Sequence, residues 1–210
     1  MKGPWFTSDT HFYHKAIIGY CNRPVTYRDP DTFEETTPQE WVEEMNRLLI
    51  ERWNERISPQ DEVYHLGDFA FAGKAKTVSI LKQLNGIKYL IRGNHDHGIA
   101  KKEDIKPYFQ WIRDYYELHV HDVHQDEEDE TKFNQYHQSI VLCHYPILSW
   151  NGMSHGTWHL HGHCHGSLPP TRMMRKDVGV DTNNLYPYSY EEIKNIMKMK
   201  AFVPVDHHGM

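Results

Sequence analysis

Three polar side chains of different chemistry follow one another at the end of a short apolar segment: an amide, an imidazole and a carboxylate, in Asn94, His95 and Asp96. The segment before them, 88–91, reads as a buried strand, and Gly93 lets the backbone turn sharply after it. An amide oxygen can bind a metal ion, an imidazole can transfer a proton, and a carboxylate can orient the imidazole. The same residues also suit an ordinary polar loop, so the interpretation depends on the other strand ends.

Polar residues of the same kinds follow four other predicted strands. With the one already described, the strands are predicted at 5–8, 61–66, 88–91, 139–143 and 158–161. Their ends supply seven oxygen and nitrogen donors and no thiolate: Asp9, His11, Asp68, Asn94, His144, His163 and His165. Within the pairs Asp9/His11 and His163/His165 the two residues are two positions apart, which places them on one face of an extended segment.

Two divalent ions that share one carboxylate would use all seven donors. The first ion would take Asp9, His11 and His165, the second would take Asn94, His144 and His163, and Asp68 would bridge them. A mixed imidazole, carboxylate and amide set with open positions suits Mn, Fe, Ni or Zn better than Ca or a structural zinc site. We expect two divalent metal ions, with Mn²⁺ as the first choice.

The intervening segments predict the elements that position these donors. A helix begins at the capping box of Thr37 and Glu40 and ends at 54–57, and a second helix covers 73–84. The order strand, helix, strand, helix, strand predicts a parallel sheet, in which ligands bind beyond the carboxyl ends of the strands. Two antiparallel strands follow at 115–121 and 134–143 around an acidic hairpin tip at 126–130, and a strand at 177–181 and a helix from Ser189 close the chain.

Composition limits the classes of protein and partner. The 210 residues, 39% hydrophobic, are enough for one domain, predicted to span 1–210. A net charge of −6 argues against a partner of duplex nucleic acid, which needs a basic face. No apolar segment is long enough to cross a bilayer and no signal segment is visible, so we expect no membrane partner and a cytoplasmic protein. Three cysteines, an odd number, predict reduced thiols.

The ordered series Asp9-x-His11, Gly67-Asp68, Gly93-Asn94-His95-Asp96, Cys143-His144 and Gly162-His163-x-His165 resembles the calcineurin-like metallophosphoesterase superfamily. The resemblance covers residues 5–166, and no ligand position departs from the superfamily pattern. It implies an α/β fold in four layers, two mixed sheets flanked by helices, together with the ligand assignment given above. The chain is most similar to the small members without a capping domain that occur in bacteria and phages.

The resulting hypothesis is a metal-dependent phosphoric ester hydrolase. A hydroxide bridging the two ions would attack the phosphorus, and His95 would protonate the leaving group with Asp96 fixing its tautomer. Arg23 is either a surface charge or a contact to the substrate phosphate. The expected substrate is a small, nucleotide-like phosphomonoester or phosphodiester, which the aromatic residues near the motifs could stack against (Tyr13, Tyr145, Trp150 and Trp158).

Three alternatives stay open at this stage. One is a nuclease for single strands, against which the acidic charge balance counts. Another is a histidine-rich metal-binding protein without catalysis, suggested by the 17 histidines. The last is a scaffold that uses the fold as an interaction surface. His159 and His161, which fall in the register of the His163/His165 pair, are expected to be core histidines, and Cys164 is expected to pack.

Overall fold

The computed structural model of the protein describes residues 3–26, 36–101, 103–125, 133–203 and 205. The acidic segment 126–130, predicted as a hairpin tip, lies outside these residues. The helices are α1 (Lys15–Tyr20), α2 (Pro38–Arg56), α3 (Lys74–Leu81), α4 (His97–Ala100) and α5 (Tyr190–Met197). The strands are β1 (Trp5–Thr7), β2 (Glu62–His65), β3 (Ile87–Ile91), β4 (Ile112–Arg113), β5 (Tyr115–Gln125), β6 (Phe133–Cys143), β7 (Trp158–His161), β8 (Arg175–Asp177) and β9 (Tyr188–Ser189).

The two helices with capping boxes begin where the sequence predicts them. The Thr37 side chain accepts the N–H of Glu40, whose carboxylate accepts the N–H of Thr37 in return, and Pro38 occupies the first turn of α2. Ser189 and Glu192 form the same reciprocal pair at the start of α5. These caps satisfy N–H groups that have no partner inside a helix, so the helix starts are specified locally.

The strands form two mixed sheets. The first has the order β4-β3-β2-β1-β9, in which β1 to β4 are parallel and β9 runs antiparallel to β1. The second has the order β5-β6-β7-β8, in which β5 and β6 are antiparallel and the other pairs are parallel. The protein is therefore of the α/β class, and the predicted parallel arrangement of β1, β2 and β3 is confirmed.

Among the described residues, three apolar cores lie on the faces of these sheets. One packs α1, α2 and α3 against the first sheet, with Met45 and Leu49 of α2 among its buried residues. The second lies between the two sheets and also receives the apolar face of α5. The third covers the outer face of the second sheet with Trp150, Met153 and Met173. In the described part of the chain this outer cover is a 3-10 turn at Met153–His155 with irregular segments, where a helical layer was expected.

Two predicted elements end earlier than expected. α3 stops at Leu81 and not at Leu84, although Leu84 is buried as predicted. The bounds predicted for the strand at 177–181 were wrong. β8 ends at Asp177, and Val180–Thr182 form a 3-10 turn. The reason is local, because the Asp177 carboxylate accepts the N–H of Gly179 at 2.8 Å and turns the backbone.

Among the described residues, no helix combines the length and the apolar character needed to cross a membrane.

Candidate metal centre

The loops that follow five strands meet at one place. In the first sheet, the N–H of Asp9 donates to Gly67 O at 2.9 Å, which joins the loops after β1 and β2. In the second sheet, the N–H of Gly162 donates to His144 O at 2.9 Å, which joins the loops after β6 and β7. Ser8 and Gly179 form a bridge between the sheets. This network brings all seven predicted donors into one region.

Most of these donors are held in a strained backbone conformation. Five of the seven have φ between 47° and 70°: Asp9, His11, Asp68, His163 and His165. A positive φ is uncommon outside glycine, and such residues cluster at functional sites. The expectation that the Asp9/His11 and His163/His165 pairs lie on extended backbone was therefore wrong. The side chains reach the same region because the backbone passes through the left-handed region at these positions.

Two glycines allow the loops to approach this closely. A Cβ atom at Gly93 would overlap the Oδ1 atom and the backbone nitrogen of Asp68. A Cβ atom at Gly162 would overlap Ser8 Oγ and Asp9 Oδ2. Gly93 and Gly162 are thus required by close approach to the two aspartates.

The first group of possible ligands is Asp9, His11 and His165, whose ligand atoms all lie within 4.8 Å of one another. The Asp9 carboxylate also accepts the N–H of His163 at 3.0 Å, so the loop after β7 is fixed to the loop after β1. The distance from His165 Nε2 to Asp9 Oδ1 is 3.8 Å. These are the three residues that the sequence assigned to the first ion.

Asp68 lies between this group and the remaining donors. Its Oδ2 atom is 3.5 Å from His11 Nε2 and 3.6 Å from His144 Nε2. Asp9, Asp68 and His144 also form a group whose ligand atoms lie within 4.8 Å of one another. Asp68 is therefore placed where one carboxylate can contact ligands of both predicted sets.

Asn94, His144 and His163 form the second predicted set. The amide oxygen of Asn94 lies 3.1 Å from His144 Nε2 and 3.0 Å from His163 Nδ1. The other ring nitrogen of His144 is 2.7 Å from Leu66 O, to which it donates, and this leaves Nε2 as the acceptor nitrogen. Asn94 Oδ1 and His144 Nε2 are thus two acceptor atoms 3.1 Å apart, an arrangement that a cation would stabilise.

Burial gives the site an unusual charge state. Burial raises the pKa of Asp9 to about 7 and lowers the pKa of His11 to about 2. Burial also lowers the pKa of His144. A carboxylate whose charge is disfavoured, close to the neutral imidazoles of His11 and His144, is the environment that a bound divalent cation would reverse.

The unpartnered atoms of His11 test whether a metal ion fits. His11 is buried, and neither of its ring nitrogens has a hydrogen-bond partner among the described residues. Leaving a buried polar atom without a partner costs about 1–3 kcal/mol. A cation bound by a ring nitrogen of His11 would remove one of these deficits. The nitrogen and oxygen donors present fit a divalent transition metal.

His95 lies at the edge of this group, beside an open cleft of about 900 Å³. The backbone N–H of His95 donates to Asp68 Oδ1 at 2.8 Å, and the Nε2 atom of its ring is 4.0 Å from Asp68 Oδ2. The side chain is 39% exposed, so its ring can contact a molecule in the cleft. His95 is placed where a proton donor would be expected, next to the possible ligands.

The expected role of Asp96 was wrong. Its carboxylate accepts the N–H groups of Asp68 at 2.7 Å, Phe69 at 3.0 Å and Gly93 at 2.8 Å. Among the described residues, these are the partners of the carboxylate, and the ring of His95 is not one of them. Asp96 therefore fixes the loops after β2 and β3 to each other. It positions Asp68 and does not orient His95.

Both interpretations of Arg23 were also wrong. Its guanidinium is fully buried and uses its donors on Asp181, on the carbonyl oxygens of Asp9 and Thr10, and on Met45 Sδ. No donor remains for a substrate phosphate. Arg23 instead holds the backbone of the Asp9 loop, which is a structural role beside the site.

Asp181 is the residue that the sequence did not reveal. Its Oδ2 atom lies 2.7 Å from His165 Nδ1, and both of its oxygens accept hydrogen bonds from Arg23. This carboxylate fixes the ring of His165 so that Nε2 faces Asp9. Cys21 lies close to the same pair, but Arg23 already neutralises Asp181, so this second grouping is a poor cation site.

Other side chains around the cleft were also missed or misjudged. His14 stacks on Phe71 with ring centroids 4.2 Å apart, and Phe71 is 48% exposed. Tyr145, one of the aromatic residues considered for stacking, is exposed beside His163. Trp150 and Trp158 are buried in the cores and cannot contact a ligand. No spacing in the sequence could have distinguished these cases.

Comparison with other proteins places the chain in a family. No family model matches it. The uncharacterised protein MJ1445 of Methanocaldococcus jannaschii is 31% identical over 206 residues, covering 94% of this chain and 93% of MJ1445. The chain belongs to the family of MJ1445.

Two other kinds of protein are similar to this member of the MJ1445 family. The gene 66 proteins of Mycobacterium phages L5 and D29 are 24% and 25% identical, each over 86% of the chain. The crystal structure of AQ665, a protein of unknown function from Aquifex aeolicus, matches with a TM-score of 0.57 and 25% identity. It covers 91% of this chain and 97% of AQ665.

Proposed function

We propose that this protein is a calcineurin-like metallophosphoesterase, which hydrolyses small phosphate esters with the help of two divalent cations. One observation carries the proposal: seven oxygen and nitrogen donors from five strand ends meet around the Asp68 carboxylate. Structural networks of histidine and aspartate also occur in proteins, but those normally satisfy their polar atoms. The unpartnered nitrogens of His11 favour a metal centre.

The proposed ligand sets follow the distances. Asp9, His11 and His165 would hold one cation, and Asp68 would contact both. Asn94, His144 and His163 would hold the other. When bound, divalent cations supply positive charge that attracts the phosphoryl group and lowers the pKa of a coordinated water molecule. Mn²⁺ is the first choice, and Fe, Ni or Zn would also suit these donors.

His95 is the proposed proton donor. Its ring lies next to Asp68 but is more exposed than the buried imidazoles, so it can reach an ester oxygen in the cleft. The hydrogen bond from the backbone N–H of His95 to the Asp68 carboxylate keeps the two residues at a fixed separation. General acid catalysis of this kind typically increases the reaction rate by about 10²–10⁴-fold.

The cleft favours a small ester that carries a flat group. Its volume of about 900 Å³ lies within the range for small-molecule sites. The exposed rings of Phe71 and Tyr20 line it and offer flat apolar surfaces. A nucleotide-like monoester or diester would place its phosphate at the metal centre and its base against one of these rings.

Hydrolysis of two chromogenic esters tests the proposal. The purified chain would be assayed on p-nitrophenyl phosphate and bis(p-nitrophenyl) phosphate, after treatment with a chelator and after addition of Mn²⁺. We expect turnover of at least one ester that the chelator abolishes and Mn²⁺ restores. Metal binding without turnover of either ester would contradict catalysis and favour a metal-binding protein.

Two variants distinguish hydrolysis by this protein from hydrolysis by a contaminating phosphatase. Asp68→Ala removes the central carboxylate and should lose the activity. His155→Gln changes an exposed histidine outside the metal centre and should keep it. Equal activity in Asp68→Ala and in the wild type would show that the hydrolysis does not come from this site.

A further inference from the structure

A second cleft, of about 420 Å³, also borders His165 and Asp181. Three cationic side chains line it: Arg175 and Lys176 from β8, and Lys200 from the segment after α5. All three are half-buried. The proposed metal centre does not use these residues.

The cationic groups contact uncharged partners. Arg175 donates to Ile147 O at 3.4 Å, and Lys200 donates to Thr171 O at 3.0 Å. The ammonium group of Lys176 lies 4.9 Å from the centre of the Tyr188 ring. Within the part of the chain that the structure describes, none of the three forms an ion pair with a carboxylate. Removing a charge from water is costly unless the charge is paired, so a bound anion would stabilise this group.

Two carboxylates line the cleft, and because one of them is paired with Arg23 they do not balance its three cations. Asp181 is neutralised by Arg23, and Asp177 accepts the N–H groups of Gly166 at 2.9 Å and Gly179 at 2.8 Å. His161, which also lines the cleft, is buried and kept neutral because burial lowers its pKa.

The cations repel one another. Burial lowers the pKa of Lys200, and the neighbouring charges of Lys176 and Arg175 lower it further. Three like charges around one cleft are costly unless an anion joins them. An anion in the cleft would compensate these charges, and the planar guanidinium of Arg175 matches phosphate geometry.

We propose that the cleft between Arg175, Lys176 and Lys200 is a binding site for a phosphate group, separate from the metal centre. The ligand is either inorganic phosphate or the phosphate of a nucleotide. The choice of phosphate over other anions rests on the proposed function, in which phosphate is the product and a phosphate ester is the substrate. The presence of an anion site is inferred from the three cationic side chains and does not require that the protein be a hydrolase.

Calorimetric titration of the metal-free protein tests the site. With a chelator present the metal centre cannot hold phosphate, so a failure of the proposed hydrolase activity would not affect the result. We expect saturable binding of inorganic phosphate or of adenosine 5′-monophosphate. Binding of the nucleotide alone would identify the ligand as a phosphate attached to an organic group, and equal binding of both would identify free phosphate as sufficient.

A pair of matched variants gives the decisive comparison. Lys200→Gln removes one charge from the cleft but keeps a donor for Thr171 O, and it should weaken binding by about tenfold or more. Lys198→Gln removes a charge from an exposed lysine outside the cleft and should leave the affinity within about twofold of wild type. Absence of saturable binding to wild type, or equal losses in the two variants, would overturn the proposal.

Discussion

Replacing Asp181 with asparagine tests the buried ion pair behind His165. The Arg23 guanidinium donates to the two Asp181 oxygens at 2.8 and 3.0 Å, and its side chain has no exposed surface. Arginine keeps its proton at any pH at which the protein is folded, so the substitution leaves a positive charge buried without its carboxylate. The variant keeps the shape of the side chain, removes its charge and replaces one acceptor oxygen with an NH2 donor.

Two contributions set the expected loss of stability. Burial alone would raise the pKa of Asp181, but the hydrogen bonds from His165 and Arg23 outweigh it and lower the pKa to about 2. A shift from 3.8 to about 2 corresponds to about 2 kcal/mol of stability, present above pH 3.8 and lost as the pH falls toward 2. Breaking a buried pair typically costs about 3–5 kcal/mol, because the remaining charge is also uncompensated. We therefore expect a loss of about 2–5 kcal/mol at pH 7.

Urea unfolding in the presence of a chelator measures this loss. Glu51→Gln is the matched control, because it removes one carboxylate from the pair with Arg47, in which both side chains are more than half exposed. That exposed pair should contribute less than about 1 kcal/mol. A loss in Asp181→Asn no larger than in Glu51→Gln would refute the argument that the buried pair stabilises the site. In the folded fraction, Asp181→Asn should also bind Mn²⁺ about 10–100-fold more weakly, since His165 loses the group that orients it.

Three further predictions concern the centre and its surroundings. His95→Gln should bind both cations but lose about 10²–10⁴ in the hydrolysis rate, and a wild-type rate would remove His95 from the mechanism. Asp68→Ala should bind fewer than two Mn²⁺ ions per chain in calorimetry, and full stoichiometry would refute the shared carboxylate. Burial lowers the pKa values of His65 and His159 from 6.5 to about 3, so their contribution to stability is present above pH 6.5 and lost as the pH falls toward 3. Between pH 7 and 5 these two rings should together contribute a loss of about 4 kcal/mol in urea unfolding, and a His65→Gln/His159→Gln variant should lack this contribution. The same pH dependence in that variant and in wild type would contradict the neutral, buried state of these rings.

The parts of the fold that depend on local chemistry could be predicted from the sequence. Thr37 and Glu40 satisfy each other within one turn, so the start of α2 requires no knowledge of distant residues. The seven donors were also visible, because each follows an apolar strand and the carboxyl ends of parallel strands meet at one edge of a sheet.

The contacts that support the donors could not be predicted, because they depend on residues far apart in the chain. Arg23 and Asp181 are separated by 158 positions, and their pairing appears only when the loops meet. Asp96 follows His95 directly, but its carboxylate turns toward the backbone of Asp68. The left-handed backbone at His11 likewise results from the approach of the loops and leaves no pattern in the sequence.

The positions of bound Mn²⁺ ions test whether Asp68 is shared between two cations. Anomalous diffraction from crystals grown with Mn²⁺ would show each ion independently of the refined protein atoms. We expect two peaks, one on each side of the Asp68 carboxylate, with His11 beside one and His144 beside the other. A single peak, or two peaks that do not share Asp68, would contradict it.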